Sequence, residues 1–293
     1  MNEISNNFIG IFDSGIGGLS VLKSALEIMP HENYIYFADS DNCPYGKRGK
    51  SELLTIGKGI IDRFVKLNPK LIIIACGTMS STNDSKLKKA FPSIKIFGTY
   101  PNFEHSLIPG TVLSSNKISF LKPEGYSHVK ELKKVLIIAT TRTCKSEYLK
   151  NKQQSYDNIL KVYIEPADFI VKAVESNELE SDEFKNKLNE LFKNYYDIDY
   201  LVLGCTHFPF AVSQIRQFVN KNCVITSGIE EVVKTSCNYL SDNNILNKSK
   251  VKSIVKIIDS KLNKENSSYG IRKSQYINLI DSENYNIEFT NSF

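Results

Sequence analysis

The chain has 293 residues, of which 41% are hydrophobic and 24% charged, and 37 Lys and Arg against 32 Asp and Glu leave a net charge of +5. This is an ordinary globular balance, long enough for one large domain or two of common size, with apolar material for a real core. No Lys/Arg cluster marks a nucleic-acid face, no apolar run approaches the ~20 residues of a membrane helix, and the mild basic excess is compatible with an anionic small substrate without requiring one.

The opening MNEISNNFIGIFDSG has no basic stretch followed by an apolar one, so no signal peptide is expected and the chain reads as cytoplasmic. Strands are expected at Phe8–Phe12, Tyr34–Ala38, Leu71–Ala75, Lys95–Gly98, Val135–Ala139, Leu160–Ile164, Tyr200–Gly204 and Cys223–Thr226. They are short and rich in Ile, Val, Leu and Tyr, and several are apolar on both faces, as buried parallel strands are. Helical patterns fall between them, at Leu53–Leu67, Ser85–Ala90 and Asp182–Tyr196. The alternation predicts an α/β fold with parallel sheet, ligands meeting the carboxyl ends of the strands. Thr99–Ser127, with Pro101, Pro109, Gly110, Pro123 and Gly125, reads as a connection bearing a long loop or lid. The polar segment from Asn243 to Phe293 offers one helix, at Val251–Leu262.

Six cysteines (43, 76, 144, 205, 223 and 237) are scattered without a C-x-x-C pair, and the four histidines (31, 105, 128 and 207) are equally dispersed. A metal cluster is therefore not indicated, and free thiols in a reducing compartment are expected.

Three strand ends carry reactive residues. The first is Phe12-Asp13-Ser14-Gly15-Ile16-Gly17-Gly18, where a strand enters a glycine-rich turn before a helix from about Leu19. Glycine lets backbone approach a ligand, and N–H groups at a helix start favour an anion. The same residues also suit a tight strand–helix turn with an Asp cap. The spacing is neither a dinucleotide fingerprint nor a P-loop. The second and third are Ala75-Cys76-Gly77-Thr78 and Gly204-Cys205-Thr206-His207. A lone Cys after an apolar run is usually a small buried hydrophobe. Two in matching contexts, each near a helix start that favours thiolate, point to a pair of acid/base groups. Racemisation at an amino-acid α-carbon needs such a pair, one group on each face, one deprotonated and one protonated. Asp13 and His207 are placed to move or stabilise those protons.

Ile9-Gly10-Ile11-Phe12-Asp13-Ser14-Gly15-Ile16-Gly17-Gly18-Leu19-Ser20-Val21 resembles the opening of glutamate racemases, as do Tyr36-Phe37-Ala38-Asp39 and Cys43-Pro44-Tyr45-Gly46. Ala75-Cys76-Gly77-Thr78 and Leu203-Gly204-Cys205-Thr206-His207-Phe208-Pro209 stand where that family keeps its two catalytic cysteines. The stretch Thr140, Thr143, Ser146, Tyr148 and the segment Val174-Glu175-Ser176-Asn177 continue the resemblance, which spans roughly residues 8–228 in family order.

The resemblance implies two α/β domains related by a pseudo-twofold, residues 1–99 with 226–293 and residues 100–225, with the substrate between them. It implies interconversion of L- and D-glutamate for peptidoglycan, with neither pyridoxal phosphate nor metal. Cys76 would act on one enantiomer and Cys205 on the other, with Asp13 and His207 as auxiliary groups. Ser14, Tyr45, Gly46, Gly77, Thr78, Thr140, Thr143, Glu175 and Thr206 would bind substrate, together with Asp13 and His207. Gly77 stands where most of the family has Asn, and Thr99-Tyr100-Pro101-Asn102 replaces its usual Val-Ile/Val-Glu-Pro. These departures leave open a racemase for aspartate or another amino acid, and a silent amino-acid-binding homologue. A one-thiol decarboxylase on a similar fold is a third alternative. Cys144, Cys223 and Cys237 read as structural, Cys43 as lining, and His31, His105 and His128 as surface or loop residues. A homodimer is the general prior for such an enzyme.

Overall fold

The apolar runs become strands because each can be covered on both faces. In the computed structural model, which describes residues 7–103, 132–249, 251–261, 274, 276, 277, 285–290 and 293, all eight expected strands form. They are β1 (Phe8–Asp13), β2 (Asn33–Ala38), β3 (Leu71–Ile74), β4 (Ile96–Gly98), β5 (Lys133–Ala139), β6 (Leu160–Pro166), β7 (Tyr200–Leu203) and β8 (Val224–Ser227). Every residue of β1 and β3 is buried.

Two further strands, β9 (Ile254–Asp259) and β10 (Asn286–Thr290), complete two sheets of order β10-β9-β2-β1-β3-β4 and β6-β5-β7-β8. Every pairing is parallel. The run β2-β1-β3-β4 in the first sheet repeats as β6-β5-β7-β8 in the second, so corresponding strand ends carry corresponding roles.

Helices cover the sheets: α1 (Leu19–Ile28), α2 (Lys50–Lys66), α3 (Gly77–Ala90), α4 (Glu147–Tyr156), α5 (Asp168–Glu175), α6 (Asp182–Phe192) and α7 (Ile229–Asp242). The expected helix at Leu53–Leu67 starts earlier, at Lys50, where the Gly49 N–H donates to the Glu52 carboxylate. The one expected at Ser85–Ala90 starts at Gly77, which makes Cys76 its N-cap residue. The third ends at Phe192 rather than Tyr196. One apolar cluster joins Ile9 and Ile11 of β1 to Leu136 and Ile138 of β5, so the two sheets share a core. Separate clusters cover their opposite faces, around Phe8, Phe12 and Phe64 for the first and Val135, Ile137 and Tyr156 for the second.

The helix expected at Val251–Leu262 is not formed: Ile254–Asp259 is strand β9, slotted between β2 and β10. Ile254, Val255, Ile257 and Ile258 are β-branched, and a strand position covered on both faces suits them better than a helix surface does. Val255, Ile257 and Ile258 are fully buried. Strand β10 escaped notice because an edge strand lacks the doubly apolar pattern. The loop or lid reading of Thr99–Ser127 falls outside the described residues from 104 to 127, as do His105 and His128. Among the described residues no helix is long and apolar enough to cross a membrane.

At the opposite, amino-terminal ends of the strands, Lys70 Nζ lies 3.0 and 2.8 Å from the two oxygens of Glu32, which is 1% exposed. The Asn247 N–H donates to the same carboxylate at 2.6 Å and ties the chain beyond α7 to the first sheet. Removing one member of a buried pair leaves the other charge desolvated, at a cost of about 3–5 kcal/mol. Glu32→Ala is expected to lower the denaturant midpoint accordingly, while Glu32→Leu with Lys70→Met lowers it far less.

Candidate active site

Parallel strands deliver their carboxyl ends to one side, and here both sheets deliver theirs to one cavity. Asp13 ends β1, and Cys76 follows β3 after a single alanine. From the second sheet, Thr140 follows β5 directly, and Cys205 follows β7 after Gly204. Asp13, Ser14, Tyr45, Gly46, Cys76 and Thr78 line the cavity from the first sheet's loops, and Thr140, Cys205, Thr206 and His207 from the second's. The enclosed space is about 10 Å³, room for a single water.

Asp13 is fully buried. Its Oδ1 accepts the Ser14 N–H at 2.7 Å, and its Oδ2 accepts the Thr206 hydroxyl at 2.8 Å. Burial raises its pKa above the usual carboxylate value, against the opposing His207 charge and the hydrogen bonds from Thr206, Ser14 and Cys76. Cys76 is 4% exposed and caps α3. Burial pushes its thiol well up, the Asp13 carboxylate adds to the rise, and the Met79 N–H opposes it. The first half-site thus rests as a thiol hydrogen-bonded to a carboxylate.

The second half-site is built differently. Cys205 is partly exposed, and its Sγ lies 3.7 Å from His207 Nδ1. On the far side of the ring, Nε2 is 2.7 Å from Glu175 Oε1. Burial alone would disfavour the imidazolium and is the largest single effect. The hydrogen bonds and charges of Cys205 and Glu175 together outweigh it, and His207 is raised well above its ordinary value. Both ring nitrogens face acceptors, which suits the doubly protonated ring. A cation is thereby held against Cys205 Sγ.

Hydroxyls bridge the two sheets between these thiols. Thr78 and Thr140 are joined at 2.8 Å, and Thr140 and Thr143 at 3.0 Å. Thr206 also accepts, at its carbonyl, the Ser20 hydroxyl at 2.9 Å. The Tyr45 hydroxyl donates to Asp39 Oδ2 at 2.7 Å, so the ring faces the cavity while its hydroxyl is engaged elsewhere.

Three residues expected to bind substrate stand behind the cavity wall. Glu175 supports His207 and accepts the Ile16 N–H. Thr143 is fully buried and holds Thr140. Gly77 packs against backbone: a Cβ there would lie 2.7 Å from the Gly204 carbonyl oxygen.

Three residues not singled out have roles here. Asp39 anchors Tyr45. Asp168 accepts the Thr141 N–H and hydroxyl at 2.8 and 2.6 Å, and Val171 lines the cavity. Both aspartates lie just beyond strand ends, the position that picked out Asp13. Val171 carries no local signal, since it is one apolar residue of an apolar helix face. Among the described residues no group of three or more His, Cys, Asp or Glu side chains is placed to hold a metal ion.

No protein-family model matches the chain. Solved structures that match it in fold include a glutamate racemase isoform from Bacillus anthracis, with TM-score 0.78, 22% identity and coverage of 98% of this chain and 97% of that one. Another is the Francisella tularensis glutamate racemase solved with D-glutamate, with TM-score 0.76, 22% identity and 97% of each chain covered. The paired parallel sheets therefore share the fold of these glutamate racemase structures. In sequence it is 34% identical over 261 residues to the glutamate racemase of Clostridium perfringens, covering 88% of this chain and 93% of that one. It is 31% identical over 260 residues to that of Clostridium acetobutylicum. The chain belongs to the glutamate racemase family.

The buried Asp13 carries a stability prediction. Its folded pKa lies above the unfolded value of about 3.8, so its ionised form opposes folding at neutral pH. The penalty is absent below the unfolded pKa and complete above the folded one. Asp13→Asn is therefore expected to raise the melting temperature at pH 7, with the gain shrinking toward zero as pH falls to about 4, and to lower turnover.

Proposed function

We propose that the protein interconverts L- and D-glutamate without pyridoxal phosphate, by a two-base mechanism in which Cys76 and Cys205 face opposite sides of the substrate α-carbon. The observation that carries this reading is the unequal partnering of the two thiols across one cavity. Cys76 has a carboxylate beside it, and Cys205 has an imidazole held by a second carboxylate. An α-proton removed on one face must be replaced on the other, so the two groups must differ in protonation at the moment of reaction. The elevated Asp13 is suited to take the Cys76 proton when that thiol turns base. His207 is suited to return a proton to Cys205 when that sulfur turns acid. Well-placed acid/base groups contribute about 10²–10⁴-fold each.

Ser14, Thr78, Thr140 and Thr206 bring aliphatic hydroxyls to the cavity wall, suited to the substrate's carboxylates and ammonium. We read the chain as two domains, residues 1–99 with 226–293 and residues 100–225. Sheet membership supports this division, with β8 running to Ser227 and so carrying the second unit slightly further. The product would be cytoplasmic D-glutamate for peptidoglycan.

The test is purified protein with L-glutamate, and separately D-glutamate, in D₂O without added cofactor. Optical rotation is expected to decay to zero with deuterium entering the α-position. Cys76→Ser and Cys205→Ser are each expected to abolish racemisation. Full turnover without Cys205 would overturn the two-base mechanism. Rapid turnover of aspartate with none of glutamate would reassign the substrate, and binding of D-glutamate without α-exchange would make the protein a silent homologue.

A further inference from the structure

The turn Gly15-Ile16-Gly17 has the character of an anion-receiving loop, and the structure shows which anion it receives. The Ile16 N–H donates to Glu175 Oε1 at 2.8 Å, the same oxygen that lies 2.7 Å from His207 Nε2. A Cβ at residue 15 would stand 1.9 Å from that oxygen, and a Cβ at residue 17 would stand 2.2 Å from His207 Nδ1. Neither glycine has a left-handed φ, so what these positions require is space and not an unusual backbone. Gly49 and Gly59, by contrast, have nothing within 4 Å of such a Cβ. Two flanking contacts hold the Cys205 loop in register with this turn: Thr206 Oγ1 on Asp13, and Ser20 Oγ on the Thr206 carbonyl.

We propose that Gly15, Ile16 and Gly17 are positioning residues for the Cys205 half-site. This turn of the first sheet seats the Glu175–His207 pair of the second and so presents His207 Nδ1 to Cys205 Sγ. The inference rests on reading Cys205 as an acid/base group.

The obstacle at Gly15 is the carboxylate end of Glu175 and at Gly17 the imidazole ring of His207, so an added methyl at either position displaces a member of the pair. Gly17→Ala and Gly15→Ala are expected to lower kcat by about 10²-fold with KM little changed. In a Cys76→Ser background, Gly17→Ala is also expected to slow alkylation of Cys205 by iodoacetamide at pH 7, followed by the mass of its peptide, because the thiolate is the reactive form and loses its cation.

The decisive comparison is a double-variant cycle. Gly17→Ala should add nothing, in turnover or alkylation, to His207→Ala, and Gly15→Ala should add nothing to Glu175→Ala. Unchanged kcat and alkylation in Gly17→Ala would overturn the proposal, as would an equal further loss in the His207→Ala background. If Gly17→Ala does not fold, the double variant with His207→Ala should, because the ring it meets is gone. Failure of both to fold would also overturn the proposal. The alkylation reading uses no amino acid, so it stands even where the glutamate assignment fails.

Discussion

The site depends on one buried contact between the sheets, the Thr206 hydroxyl on the Asp13 carboxylate at 2.8 Å. Asp13 is the partner of Cys76, and Thr206 is the residue between Cys205 and His207, so this bond sets the two half-sites in register. It also serves as one of the few donors available to a carboxylate that burial has cut off from water. Around it the cross-sheet contacts accumulate: Ser20 on the Thr206 carbonyl, Ile16 on Glu175, Thr78 on Thr140. Each is polar and directional. The shared apolar core brings the sheets together, and these bonds decide how their carboxyl ends meet.

Burial has different outcomes at Cys76 and at His207. At Cys76 it acts with the neighbouring carboxylate and keeps the proton on sulfur. At His207 it is overcome by two acceptors, and the ring keeps its charge. The two cysteines therefore have unlike neighbours, a carboxylate at Cys76 and an imidazole held by a second carboxylate at Cys205. The repeated strand order supplies the geometric likeness. The unlike neighbours supply the chemical difference.

Gly77 shows how a departure from a family pattern can be steric in origin. The missing side chain at this position is matched by the Gly204 carbonyl, whose oxygen would lie only 2.7 Å from a Cβ there. The residue after the first cysteine and the residue before the second are thereby in direct backbone contact. Any side chain at 77 would push the two cysteine-bearing turns apart.

Eight strands and the parallel α/β class were legible in the chain itself, because doubly buried strands must be apolar throughout; Cys76 and Cys205 stand where that pattern breaks abruptly, and the fold brings both to one cavity. Strand β9 lies where the sequence pattern suggests a helix, and β10 carries no strand signal of its own. The first takes its conformation from the slot beside β2, and the second lies at an edge, where half the strand pattern is absent. Nothing local distinguished the glycine turn as a seat for the protein's own carboxylate from a seat for a ligand. Glu175 and Ile16 are 159 positions apart, and only the packing of one sheet against the other brings that oxygen to that N–H. Residue types and their order determined the fold class and pointed to the two thiols with Asp13 and His207 beside them. Which carboxylate holds the imidazole, and the direction in which each group's proton affinity moves, were decided by tertiary structure, because burial and charge act through space and not along the chain.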